Sequence, residues 1–87
     1  MEFVLDFTEQ ANDDISFHKK SGNIKILNKI HQLLNDTINH PFEGIGKPEP
    51  LKHNLSGCWS RRINKKHRLV YEVNENRVVI LSLRGHY

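Results

Sequence analysis

The hydrophobic pattern changes period near the middle of the chain. "FVLDF" (Phe3 to Phe7) carries apolar residues on both alternating faces, which predicts a short buried strand. Thr8 then suits a helix N-cap, with Glu9 in a first turn where the helix dipole favours acid. Ala11, Ile15 and His18 recur at helical spacing, and "KKSGN" ends this weakly amphipathic helix at Gly22. The second helix is clearer. Leu27, Ile30, Leu34 and Ile38 follow at intervals of three or four, Ile26 and Leu33 widen the stripe, and Pro41 stops it. The short break between the helices predicts a helical hairpin.

"PFEGIGKPEP" (Pro41 to Pro50) holds three prolines and two glycines, so it reads as a stiff loop. Beyond it the helical period disappears. "LKHNL", "CWSRRI", "HRLVYEV" and "RVVILSL" read as four strands, separated by "SG", "NKK" and "NEN". Connections this short predict antiparallel neighbours. The expected architecture is α+β: a small antiparallel sheet with an N-terminal helical hairpin on one face. Residues 1–87 fit one domain, with no repeat and no linker.

Period two then sorts the strand side chains. If Leu69, Tyr71 and Val73 face the helices, Arg68, Val70 and Glu72 face away. In the preceding strand Cys58, Ser60 and Arg62 share a face opposite Trp59, Arg61 and Ile63. One sheet face is thereby packed and the other displays arginines.

Charge sharpens this picture. The chain carries a formal +3, but residues 47–68 hold seven of its thirteen Lys/Arg and one of its ten Asp/Glu. That asymmetry points to a polyanion, most often nucleic acid; the plainer alternative is a solvated basic surface. No apolar run approaches a membrane span, no signal peptide is visible, and the lone Cys58 offers no intramolecular disulfide. A cytoplasmic protein with no membrane partner is expected.

The single carboxylate in the basic segment is Glu49, held between Pro48 and Pro50. His18, His31 and His40 are expected at surface or half-buried helical positions, whereas His53 and His67 suit either a structural or a functional role. His86 lies in "RGHY", directly after the last strand. Clustered zinc ligands, a phosphate-cradling glycine loop and a serine-hydrolase grammar are all missing, so neither metal nor cofactor is expected. A fixed carboxylate, several arginines and a histidine would suffice for metal-free RNA cleavage, with base, cations and acid in turn. Equally, Glu49 could simply pair with a neighbouring lysine.

The segment "PFEGIGKPEPLKHNLSGCWSRRINKKHRLVYEV", with "LLNDTINHPFEG" before it and the terminal "HY", resembles the YoeB/Txe toxins of the RelE/ParE superfamily. The resemblance spans nearly the whole chain and is strongest from Leu33 onward. It implies a toxin of a type II toxin–antitoxin system that cleaves mRNA in the ribosomal A site by metal-free attack of the 2′-hydroxyl. By the same resemblance Glu49 is the general base, His86 the general acid and Arg68 the transition-state arginine. Lys52 and Arg62 would bind phosphate and Tyr87 would orient the substrate nucleotide. Lys47, Lys65 and Lys66 are assigned to ribosomal RNA docking on charge alone. Implied partners are a YefM/Phd-like antitoxin, the ribosome with its mRNA, a second copy of the chain, and operator DNA only through the antitoxin complex. A non-catalytic gyrase poison or corepressor would lack the Glu/Arg/His set. A generic RNA-binding domain would leave the Pro-Glu-Pro loop unexplained. Relatives often carry an aromatic residue where this chain has Gly85, and glycine is expected to leave the tail freer.

Overall fold

The computed structural model describes residues 3–85. Strand β1 (Val4–Phe7) leads into helices α1 (Glu9–Ser21) and α2 (Ile24–Asn39). Strands β2 (Glu49–Pro50), β3 (Cys58–Arg62), β4 (Arg68–Asn74) and β5 (Arg77–Ser82) follow. The five strands form one sheet in the order β1-β5-β4-β3-β2.

The helix boundaries follow local chemistry. Thr8 caps α1, its Oγ1 accepting from the Ala11 N–H at 3.1 Å, while the same hydroxyl donates to the Leu81 carbonyl at 3.0 Å. Gly22 closes α1 in the left-handed region, and the Asn23 side chain caps α2 by accepting from the Ile26 N–H. Both helices lie on one face of the sheet. Ala11, Ile30 and Leu33 pack there with Ile63, Leu69, Tyr71, Val78, Ile80 and Leu83. Fully burying side chains of this size contributes roughly 1.5–3 kcal/mol each.

The α+β architecture is as expected, and three details differ from the sequence reading. First, the sheet is mixed, because β1 runs parallel to β5. Short connections make β3, β4 and β5 antiparallel neighbours. The long excursion through both helices and three strands leaves β1 free to return parallel. Second, β1 is an edge strand rather than a buried one, with Val4 50% and Phe7 36% exposed. Third, "LKHNL" is not a strand. Pairing begins earlier, at Glu49, and ends once the Leu51 N–H reaches the Cys58 carbonyl. The chain then turns through a short 3-10 helix, His53–Leu55, that folds Leu55 back onto Leu51, Cys58 and Val70. His53 and Asn54 supply no apolar alternation that a strand would bury. The face away from the helices therefore carries a small apolar cluster as well as arginines.

Candidate active site

The register of the sheet assembles the site. Glu49 pairs with Ser60, and Arg62 pairs with Arg68. Residues directly opposite share a face, and so do residues two apart on one strand. Glu49, Ser60, Arg62 and Arg68 thus emerge on the same side, away from the helices. Glu49 and Arg68 lie on strands two spacings apart, about 10 Å across the sheet, and are offset by two residues along it. Together with Lys47 these residues line a cleft of about 90 Å³.

Arg68 is fixed from its own turn. Its Nη1 donates to the Asn64 carbonyl at 2.8 Å and to the His67 carbonyl at 3.2 Å. The turn is itself rigid, because Asn64 Oδ1 accepts from the N–H groups of both Lys66 and His67 at 2.8 Å. Lys65 and Lys66 are exposed on this turn, beside the cleft rather than in it. Lys52 is also exposed and lies outside the residues lining the cleft. Lys47, assigned to docking on charge alone, instead lines the cleft with Glu49. His86 and Tyr87 lie outside the described residues. Gly85 precedes them, and its carbonyl accepts from the Arg68 N–H at 3.1 Å.

The segment that delivers Glu49 is pinned by a residue whose role the sequence concealed. Arg61 is counted in the basic stretch, yet it is 0% exposed. Its guanidinium has five N–H donors and five partners. Nε donates to the Tyr71 hydroxyl at 3.1 Å; Nη1 donates to Asp36 Oδ2 at 2.6 Å and to the Ile45 carbonyl at 3.1 Å. Nη2 donates to the carbonyls of His40 and Glu43. Tyr71 passes its own proton to the Pro41 carbonyl at 2.6 Å. The loop from His40 to Ile45 is therefore wrapped around one arginine. Gly44 completes the wrap at φ +120°, where a Cβ would fall 2.0 Å from Asp36 Oδ2. Just beyond, the Gly46 carbonyl accepts from the Arg62 N–H at 2.7 Å, which joins the loop to β3 before Pro48 and Glu49.

Ionisation here has clear causes. Burial pushes the Asp36 carboxyl up, but the hydrogen bond from Arg61, the Ile45 N–H, and the charges of Arg61 and His40 outweigh it and hold it below the usual range. Burial pushes the Tyr71 hydroxyl up against the opposing bond from Arg61. Burial and the nearby Glu72 charge push the Cys58 thiol up, which keeps it unreactive.

His18 is a further correction. It is 1% exposed, not a surface or half-buried residue. It and Asp14 sit one turn apart on α1 and take up the backbone of Leu83, with Asp14 Oδ2 accepting from the N–H and His18 Nε2 donating to the carbonyl, each at 2.8 Å. The signal in the sequence was this i, i+4 pair on the Ala11 stripe. Ser60 was also missed as a site residue, although its alternation with Arg62 places it there.

Comparisons with known proteins agree with this fold. A family profile described as "YoeB-like toxin of bacterial type II toxin-antitoxin system" matches residues 7–87. Toxin YoeB of Escherichia coli (strain K12) is 49% identical over 83 residues, covering 95% of this chain and 98% of that protein. A YoeB/ParE toxin from Agrobacterium tumefaciens superposes with a TM-score of 0.89 at 37% identity, covering 100% of both chains. YoeB from Staphylococcus aureus, solved as a dimer, superposes at 0.87 with 42% identity over 100% of both chains. The same toxin has been solved in a heterotetrameric complex with YefM, and superposes at 0.85 with 42% identity over 100% of both chains.

Proposed function

This chain belongs to the YoeB-like toxin family of bacterial type II toxin–antitoxin systems, and from that premise we propose that it is a ribosome-dependent endoribonuclease acting in the cytoplasm. A single observation carries the proposal. One sheet face gathers the carboxylate Glu49 with Lys47, Arg62 and Arg68, and the tail is hydrogen-bonded to the backbone of Arg68 one residue before His86.

In the proposed reaction, Glu49 takes the proton from the 2′-hydroxyl of a nucleotide in the ribosomal A site. The 2′-oxygen attacks the adjacent phosphorus and the bond to the 5′-oxygen breaks. Arg68 and Arg62, with Lys47 beside them, stabilise the charge that builds on the phosphorane. His86 protonates the departing 5′-oxygen, and Tyr87 orients the nucleotide. The products are a 2′,3′-cyclic phosphate and a free 5′-hydroxyl. The attacking oxygen belongs to the substrate, so the scheme needs no metal. Lys52 contributes a phosphate contact from the rim. Lys65 and Lys66, exposed on the turn beside Arg68, meet ribosomal RNA. The whole of residues 1–87 acts as one domain.

The proposed partners follow from the family. A YefM/Phd-like antitoxin neutralises the toxin, the chain pairs with a second copy, and operator DNA is reached only through the antitoxin complex. The Staphylococcus aureus relative, solved as a dimer and with YefM, supports the first two.

Induced expression followed by primer extension on a translated message tests the reading. Wild type should give discrete cuts inside codons, and the antitoxin encoded beside it should abolish them. Glu49→Gln keeps the shape and removes the basic oxygen, so cleavage should slow by about 10²–10⁴-fold. Equal cutting by wild type and Glu49→Gln at matched expression would remove Glu49 from the mechanism.

A further inference from the structure

The three residues that precede His86 are held by four different side chains. Asp14 and His18 take both backbone groups of Leu83, as described above. The guanidinium of Arg84 lies 3.7 Å from the centroid of the Phe17 ring, a close cation–π contact. The Gly85 N–H donates to Nδ1 of His67 at 2.8 Å, and the Gly85 carbonyl accepts from the Arg68 N–H. The His67 ring is braced in turn by His18, edge to face at 4.8 Å and 82°.

This array is unusual in what it replaces. Strand β5 ends at Ser82, and beyond it one backbone bond from β4 follows, from the Arg68 N–H to the Gly85 carbonyl. One face of α1 and the residue before Arg68 take over the next three residues. Asp14, 2% exposed, and His18 are both buried, a costly arrangement unless their polar atoms are satisfied. Here the tail satisfies Asp14 Oδ2 and His18 Nε2, while Gln10 Nε2 donates to the other Asp14 oxygen at 2.7 Å. Gly85 is held on both sides at φ +78°, a conformation that favours glycine, and so it is not the free residue that its lack of a side chain suggested.

The hydrogen bonds also fix the tautomers. A carbonyl can only accept, so His18 carries its proton on Nε2. An N–H can only donate, so His67 has a bare Nδ1 facing Gly85. The acceptor that ends the docked tail is thus an imidazole nitrogen one residue away from Arg68 in sequence.

We infer that His67 is a positioning residue: backed by His18 and Asp14, its Nδ1 docks Gly85 beside Arg68, and the acid step assigned to the next residue in the chain depends on that dock. The inference rests on the proposed ribonuclease reading, because it gives His67 a consequence for the acid step. It does not give His67 any contact with substrate. Losing the dock therefore lowers the rate of the bound complex and leaves binding to the ribosome intact.

The test uses the full chain and two substitutions. His67→Phe keeps a planar ring and removes the acceptor. His67→Asn replaces the ring with an amide whose Oδ1 can reach the position of Nδ1. Cleavage of message on programmed ribosomes is followed in single turnover, giving the rate at saturating toxin and the half-saturating concentration. Hydrogen exchange of the Gly85 amide is measured by NMR on the free proteins, and thermal melts confirm that each variant folds. For His67→Phe the saturating rate should fall at least tenfold, with the half-saturating concentration within twofold of wild type and Gly85 exchange at least tenfold faster. His67→Asn should restore exchange protection and bring the rate to within threefold of wild type. An unchanged rate in folded His67→Phe overturns the inference. So does an Asn variant that protects Gly85 but leaves the rate low. If the wild type cuts no message, the ribonuclease reading fails by itself; Gly85 exchange then decides the docking, and equal exchange in wild type and His67→Phe overturns it.

Discussion

Two irregular segments flank the candidate cleft, and they are held in opposite ways. The loop from His40 to Gly46 leads to Glu49 and is tied to one permanent charge. Three of the five Arg61 N–H donors go to the loop's carbonyls, and Asp36 closes the ion pair at 2.6 Å. The tail from Leu83 to Gly85 leads to His86 and is tied by several separate contacts, from Asp14, Phe17, His18 and His67. The loop is anchored on one connected network of Arg61, Asp36 and Tyr71, so it should yield all at once and take stability with it. The tail is anchored residue by residue past the end of β5, and beyond Leu83, itself a core residue, it should yield in steps while the domain stays folded. In the proposed reaction, a fixed carboxylate and a histidine that reaches the leaving group would call for these two kinds of support.

Removing the loop's anchor should have the largest effect. Arg61→Ala strands Asp36 and leaves the carbonyls of His40, Glu43 and Ile45 without their donor. Breaking a buried pair from one side costs about 3–5 kcal/mol. In a domain of this size each kcal/mol lowers the melting temperature by roughly 4–8 °C. A thermal melt of Arg61→Ala should therefore show a large drop. A melting temperature within a few degrees of wild type would mean that the loop holds itself.

Acid should sharpen the same contrast with a smaller effect. The folded Asp36 carboxyl is held below its unfolded value, so its contribution to stability is complete above about pH 4 and is lost as pH falls through the folded value. Asp36→Asn gives up that contribution at every pH, and hydrogen bonds to a charged group are typically worth about 1.5–3 kcal/mol. Urea unfolding should find wild type more stable than Asp36→Asn by a constant margin between pH 5 and pH 7, narrowing below about pH 4. A margin that stays constant down to pH 2 would contradict the assignment.

The smallest effect should come from the tail. A Cβ at Gly85 meets nothing within 4 Å, so Gly85→Ala costs only the strain of its positive φ, about 1–2 kcal/mol. That strain can be relieved locally by undocking. The melting temperature should move by no more than a few degrees, while cleavage slows by no more than about tenfold. A large fall in stability would show that the tail belongs to the cooperative core, as the loop does.

The same contrast explains what the sequence could and could not reveal. The helices were legible from Thr8, Gly22 and the Ile30/Leu33 stripe, and the meander from its short polar turns. Glu49 stood out because two prolines and seven cations surround it. Arg61 did not stand out, since its burial depends on a carboxylate 25 residues away and on carbonyls that only the folded loop brings together. His18 looked like a surface or half-buried residue for the same reason, and Asp14 was not singled out at all. Their partner, Leu83, lies 69 and 65 residues further along the chain. A buried charge such as Arg61 carries no local mark when the partners that satisfy it are distant. The parallel pairing of β1 was hidden likewise, because no turn chemistry reports on a connection that spans most of the chain.

The most direct test of the catalytic reading addresses the attacking oxygen. One ribose in an A-site codon is replaced by 2′-deoxyribose, which leaves the phosphate and base unchanged, and the flanking bonds serve as internal controls. With the 2′-hydroxyl gone, Glu49 has no proton to remove and no nucleophile to release. Cleavage at that bond should disappear while the flanking bonds are still cut, and the all-ribose message should yield a 2′,3′-cyclic phosphate or its 3′-phosphate hydrolysis product. A persisting cut at the deoxy position would mean that another nucleophile attacks, and the role assigned to Glu49 would be wrong.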